Sequence, residues 1–329
     1  MGFIISVFFG IVPMLFFAWI LYWVDRYEKE PKILLGGVFL WGAMVSAGMA
    51  FIVNTLLGVG VYLVTGSEAI TDLATGALVA PPVEETLKGL AVLLVFLIFR
   101  QEFDSVLDGI VYAGITALGF AATENIYYIY NYGFLEGGYS GLLWLVFVRV
   151  VLVGWQHPFY TAFIGIGLAM ARFQRKIWLK LILPIAGWGI AIFIHSMHNT
   201  IASLASGIGG LAFGTFVDWS GWLLMFVFIL WALSREQKWI KLYLREEAAR
   251  GIISPAHYKT ACSAWSQSAA RLVALFTGRY RATNRFYNLA AELAYKKQQR
   301  AKMGEEGGNT VRIQRARAEL AKLALRACA

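Results

Sequence analysis

Charge is scarce in this chain. Asp, Glu, Lys and Arg make up 15% of its 329 residues, against 59% hydrophobic residues, whereas about a quarter charged is usual for a soluble domain. An ordinary water-soluble globule is therefore excluded, and the apolar excess must face lipid. Cysteine is scarce too: Cys262 and Cys328 are the whole supply, which excludes a disulfide framework and fits a reducing compartment. No HExxH zinc-protease signature occurs, and no nucleic-acid-binding motif accompanies the basic residues. The first apolar run, Gly2 to Val24, has neither a basic n-region nor a small-residue cleavage site. It is too long for a typical signal-peptide core and reads as a retained first span.

What is present is long hydrophobic runs. A membrane span needs about 20 apolar residues, and seven segments reach that length: residues 2–24, 33–64, 77–99, 106–130, 142–171, 179–204 and 208–233. The third begins on Pro81 and Pro82, which break its start. The expected fold class is an all-α, polytopic membrane protein of about seven transmembrane helices, residues 1–233, followed by a basic, mostly helical tail, residues 234–329. Within the tail, Ser254 and Pro255 read as a helix start. The run 304–309, GEEGGN, reads as a break before a last amphipathic helix over 311–326.

Basic residues test the count. From Ser234 onward there are 19 Lys and Arg against 7 Asp and Glu, while residues 1–233 hold 10 against 13. Within the first 233 residues they gather in alternate loops, at Arg26, Lys29 and Lys32, at Arg100, and at Arg172, Arg175, Lys176 and Lys180. The positive-inside bias then puts the N-terminus outside and the tail in the cytoplasm of an integral cell-membrane protein. The tail's charge suits the lipid bilayer surface, with anionic lipid as a candidate partner.

Only Lys88 and Arg149 among the basic residues fall inside expected spans. They have company there: Glu84, Glu85, Glu124, Asn125, His157, His195, His198 and Asn199. An ionisable group at membrane depth costs several kcal/mol unless paired or hydrated, so each is a functional candidate. Counting from the cytoplasmic boundary at about 1.5 Å per residue places Glu84, Glu124, His157 and His195 at about 22 to 25 Å, one layer in the outer half of a core about 30 Å thick. Glu84 and Lys88, and likewise His195 and Asn199, are four apart and share a helix face. Small residues on the fourth span, Gly109, Ala113, Gly114, Ala117, Gly119, Ala121 and Ala122, permit close helix approach.

The run from Pro81 to Lys88, PPVEETLK, with its EExxK core, resembles the first motif of the PrsW family of intramembrane proteases. DSVLDGIVY (104–112), GFAATEN (119–125), HPFYT (157–161) and HSMHN (195–199) continue the resemblance in the family's order. The family is distantly similar to the CAAX-prenyl endopeptidases and ABI proteins, which carry EExxxR. Tyr160 departs from a position where Phe is commoner. The resemblance implies an intramembrane endopeptidase acting on membrane-anchored protein substrates, with the paired glutamates and the histidines of the third and fourth motifs essential.

Peptide hydrolysis needs an activated water, a proton donor for the leaving amine and donors for the oxyanion. Glu84 is the candidate base, with Lys88 favouring its anion. Glu85 points about 100° away and orients a histidine or shares the base role. His157 and His195 hold the water or protonate the amine, and Asn199 donates to the oxyanion. Glu124 and Asn125 complete the site or neutralise Arg149, His198 lines a helix interface, and Asp104 and Asp108 are helix-start residues. A metal-free, glutamate-based mechanism is expected. Zinc is the alternative, with Glu124, His157 and His195 as its ligands. A proton- or ion-coupled transporter would also bury such groups, but the inverted repeat and paired broken helices it favours are not visible. A non-catalytic membrane scaffold acting through the tail is a third reading.

Overall fold

The computed structural model describes residues 1–204, 207–305 and 307–327; Cys328 lies outside them. Those residues form helices α1 (Gly2–Val24), α2 (Lys32–Leu40), α3 (Ala47–Thr65), α4 (Glu68–Ala74), α5 (Ala80–Ile98), α6 (Val106–Tyr128), α7 (Glu136–Val146), α8 (Gln156–Arg172), α9 (Ile177–Leu204) and α10 (Gly207–Ala249). Four more follow: α11 (Pro255–Ala261), α12 (Ala264–Phe276), α13 (Tyr280–Met303) and α14 (Asn309–Ala327). The fold is all-α and polytopic. Five stretches are long and apolar enough to cross a membrane: Gly2–Val24, Lys32–Thr65, Val106–Arg172, Ile177–Leu204 and Gly207–Ala249. The expected span over 77–99 is not among them, because α5 carries Glu84, Glu85 and Lys88.

The chain divides into two compact units. One comprises Met1–Val24 and Glu30–Phe228, the other Asp25–Lys29 and Ile229–Ala329. In the first, α6 is the central helix and packs against α1, α2, α5 and α8. Every residue from Leu107 to Ala122 is buried, and small residues make this possible. A Cβ on Gly109 would lie 2.3 Å from the Gly165 carbonyl oxygen, and one on Gly165 1.9 Å from that of Gly109. A Cβ on Gly119 would lie 2.0 Å from the Phe39 oxygen, and one on Gly42 1.9 Å from the Thr116 oxygen. Ser105 caps α6 in a capping box with Asp108, whose Oδ2 accepts from the Asp104 and Ser105 amides at 2.6 and 2.7 Å. Asp108 thus works as the helix-start residue expected of it.

Residues 142–171, expected as one helix, are not continuous. A π-helical segment, Phe147–Leu152, follows α7, and Val153 and Trp155 then leave helical geometry before α8 begins at Gln156. Gly154 is required at the break, since a Cβ there would lie 2.3 Å from the Val150 oxygen. The break places His157 and Pro158 in the first turn of α8, where a missing proline N–H costs nothing.

The second unit is folded rather than a set of separate solvated helices. Ile240, Leu244, Phe286, Leu289, Leu293, Ile313 and Leu320 share one buried core. Ser254 caps α11, accepting from the His257 amide at 3.1 Å, as the sequence predicts. Glu247 is sealed inside and held by Lys297 at 2.9 Å and by two bonds from Arg317, at 2.7 and 2.6 Å.

Candidate active site

On α5, Glu85 and Lys88 are fully buried and Glu84 almost so. Buried charge persists when it is paired and hydrogen-bonded, and Glu85 is both. Its Oε1 accepts from Lys88 Nζ at 2.5 Å and lies 2.9 Å from His195 Nδ1, while its Oε2 accepts from Thr161 Oγ1 at 2.8 Å. Donors from α5, α9 and α8 thus converge on one carboxylate. Glu84, one residue away and turned to another face, is bound loosely. Asn54 Nδ2 of α3 reaches its Oε1 at 3.4 Å. Its Oε2 is buried without a hydrogen-bond partner among the described residues, 3.9 Å from Lys88 Nζ and 3.8 Å from His195 Nε2.

Both histidines are braced from behind. His157 Nε2 lies 2.8 Å from Glu124 Oε2, and its Nδ1 accepts from Lys88 Nζ at 3.2 Å. Glu124 in turn pairs with Arg149, whose Nε donates to Asn125 Oδ1 at 2.8 Å and whose guanidinium covers the Tyr128 ring. The two imidazoles lie 5.2 Å apart and nearly perpendicular. Carboxylate oxygens only accept, so Glu124 and Glu85 each fix a ring tautomer: Nε2–H in His157 and Nδ1–H in His195.

These groups surround a cavity of about 280 Å³ whose wall includes Glu84, Glu124, Asn125, His157, Tyr160, His195, His198 and Asn199. A larger space of about 740 Å³, between α3 and α6, meets it along Glu84, Glu124 and Tyr128. Residues on α5, α6, α8 and α9 therefore meet as the depth count predicts. Glu85 and Lys88 stand behind the wall. Asn199 is already committed, its Nδ2 donating to the Gly76 oxygen at 2.8 Å.

Other participants escaped the sequence reading. His198 Nδ1 lies 2.9 Å from Asp218 Oδ1 of α10, with Gln156 beside it at 3.4 Å, and Trp222 Nε1 donates to Gln156 Oε1 at 2.7 Å. His198 thus reaches both a helix interface and the cavity wall. Asp218 had a signal, being the sole acid in residues 208–233. Asn54, a polar amide inside an apolar run, had a weaker one.

Fold and site together define a class: an integral membrane protein with a carboxylate–histidine centre inside its helical bundle. The chain belongs to the PrsW family, since the model described as "PrsW family intramembrane metalloprotease" matches residues 30–233. Proteins named "Protease PrsW" are similar to it, two of them along most of their length. That of Geobacillus kaustophilus is 27% identical over 252 residues, 75% of this chain and 97% of the relative. That of Bacillus subtilis is 28% identical over 226 residues, 68% of this chain and 88% of the relative. That of Clostridioides difficile is 37% identical over 115 residues, 34% of this chain and 46% of the relative. No solved structure matches the chain. The protein is a protease, a peptide hydrolase of the membrane.

The family's description implies a metal ion, and the donors fit one. Glu84, His157 and His195 each offer a ligand atom, all within 4.8 Å of one another. Three protein ligands with an open position suit catalytic zinc, and Glu85 and Glu124 on the opposite ring nitrogens give the carboxylate backing usual for ligating histidines. This trio differs in one member from the set expected from sequence. Glu84 takes the place of Glu124, whose carboxylate is occupied by Arg149 and His157. Lys88 competes for the same atoms through its contact with His157 Nδ1.

Proposed function

We propose that the protein is an intramembrane endopeptidase that hydrolyses peptide bonds of membrane-anchored proteins, with Glu84 receiving the proton of the attacking water. The observation that carries this reading is the free, buried Oε2 of Glu84 on the cavity wall, 3.8 Å from His195 Nε2. A water between these atoms is aligned by His195, whose ring Glu85 holds in place, and loses its proton to Glu84 as it adds to the scissile carbonyl. Lys88 balances the charge of the glutamate pair. His157, braced by Glu124, stands across the cavity to carry a proton to the leaving amine. A divalent ion held by Glu84, His157 and His195 would supply Lewis acidity toward the carbonyl and the water, and the two histidines would then serve as its ligands in place of the aligning and proton-carrying roles. The larger space along α3 and α6 offers the substrate a way to Glu84 from the lipid side.

The loop charges support an outside N-terminus and a cytoplasmic tail, with the protease core in residues 1–233 and the tail in 234–329. In the second unit, Trp265, Leu272, Val273, Leu275 and Phe276 of α12 are exposed beside Arg279 and Arg281. Apolar side chains ringed by cations suit an anionic lipid surface. In nanodiscs, hydrogen exchange along α12 is expected to slow with anionic lipid; equal exchange in zwitterionic discs would remove the lipid role.

The enzymatic reading is tested by reconstituting wild type, Glu84→Gln and His195→Ala with labelled single-span substrates. Wild type is expected to cleave and both variants to lose at least 10²-fold in rate while keeping their unfolding temperature. Equal cleavage by all three would overturn the site.

A further inference from the structure

Hydrolysis of an amide places negative charge on the carbonyl oxygen, and donors aimed at that oxygen are commonly the largest single contribution to rate. Asn199, the donor expected from sequence, has its amide bound to the Gly76 oxygen. Two other donors on the wall of the same cavity have no acceptor among the described residues: the Tyr160 hydroxyl and Asn125 Nδ2. Both side chains are almost wholly buried, Tyr160 1% and Asn125 2% exposed. A buried hydroxyl left unsatisfied is destabilising, so a tyrosine kept there without a partner is spending stability that a phenylalanine would not.

The surroundings of Tyr160 say where that hydroxyl is used. Its ring stacks on His195, with centroids 4.6 Å apart and planes 19° from parallel, and it lies 6.0 Å from the His157 ring. It therefore stands on α8 beside both imidazoles near Glu84, one turn from His157. Asn125, one residue from Glu124, has its Oδ1 fixed by Arg149 Nε, which turns its amide nitrogen outward from that contact.

We propose that this chain, with Tyr160 where Phe is commoner in the family, has gained an added catalytic donor: the Tyr160 hydroxyl, together with Asn125 Nδ2, donates hydrogen bonds to the oxyanion formed at the scissile carbonyl. The proposal rests on the hydrolytic reading above. Both bonds are donated without proton transfer: the water's proton goes to Glu84 and is passed by way of His157 to the amide nitrogen, the C–N bond breaks as the tetrahedral oxygen re-forms its carbonyl, and the amine leaves carrying that proton.

The test uses the full chain in proteoliposomes and a fluorogenic single-span peptide that wild type cleaves and Glu84→Gln does not. Tyr160→Phe removes one oxygen and keeps the ring stack. Its kcat is expected to fall about 10²-fold or more, with KM within twofold of wild type and an unfolding temperature equal or higher. A peptidyl trifluoromethyl ketone, whose hydrate anion mimics the intermediate, should lose affinity for Tyr160→Phe in parallel with kcat/KM. An unchanged kcat overturns the proposal, as does a loss confined to KM or accompanied by unfolding. If no single-span peptide separates wild type from Glu84→Gln, the failure belongs to the hydrolytic reading. Asn125→Ser, on the same peptide, is expected to add a further loss to Tyr160→Phe.

Discussion

Glu85 Oε1 and His195 Nδ1 lie 2.9 Å apart, joining α5 to α9 through two buried side chains. The contact fixes which nitrogen of His195 faces Glu84, and the same carboxylate gives buried Lys88 its counter-charge. Glu85→Gln keeps the shape but removes the charge, and should lower kcat by about 10- to 100-fold through lost orientation of the ring. Glu85→Ala leaves Lys88 without its closest partner, and about 3–5 kcal/mol of stability should go with it. Unfolding in mixed micelles, alongside cleavage rates, separates the two outcomes.

The crossing of α6 and α8 depends on Gly109 and Gly165, which leave no room for a methyl group. Gly165→Ala should abolish correctly folded protein, read as loss of the monodisperse peak in detergent. Gly48→Ala, where nothing lies within 4 Å, should leave stability equal or slightly higher.

The C-terminal unit should weaken in acid. Burial pushes the Glu247 carboxyl up, but hydrogen bonds from Arg317 and Lys297 outweigh that and hold it below the ordinary carboxylate range. A depressed carboxylate contributes stability above its unfolded value, about 4.3 for Glu, and loses it as pH falls through the lower folded value. Hydrogen exchange of α13 and α14 should therefore accelerate below about pH 4. Glu247→Gln should cost about 1–3 kcal/mol at neutral pH and flatten the dependence.

Much of this was legible in the sequence for a physical reason: charge inside an apolar run is expensive, so Glu84, Glu124, His157 and His195 announced themselves, and helical rise alone set them at one depth. Partner choice was legible only in part. The Glu124–Arg149 pair was one of two readings the sequence offered, but nothing in residue spacing says that Glu124 also holds His157, that Asn199 turns to Gly76, or that Asp218 crosses to His198, because these depend on helix rotation and on the break at Gly154. The break itself was hidden, since Val153, Gly154 and Trp155 are as apolar as their neighbours. The tail's core was hidden by its charge: Phe286, Leu289 and Leu293 recur at helical spacing between basic residues.

Zinc binding separates ligands from the groups behind them. Wild type is expected to bind zinc, measured by equilibrium dialysis at fixed pH, and His157→Ala and His195→Ala to lose it. Glu124→Gln should weaken binding by about 10- to 100-fold, because the carboxylate acts through the His157 ring. Undiminished binding in all three variants would place the metal elsewhere.

The central claim is that Glu84 takes a proton from water and does not itself attack the substrate. It is tested most directly by a single-turnover cleavage in oxygen-18 water, with enzyme in excess over a single-span substrate. The account predicts oxygen-18 in the new carboxyl terminus of the product on the first turnover and none in the tryptic fragment carrying Glu84. Unlabelled product with oxygen-18 retained in Glu84 would contradict it, since that pattern requires the glutamate to have formed the bond.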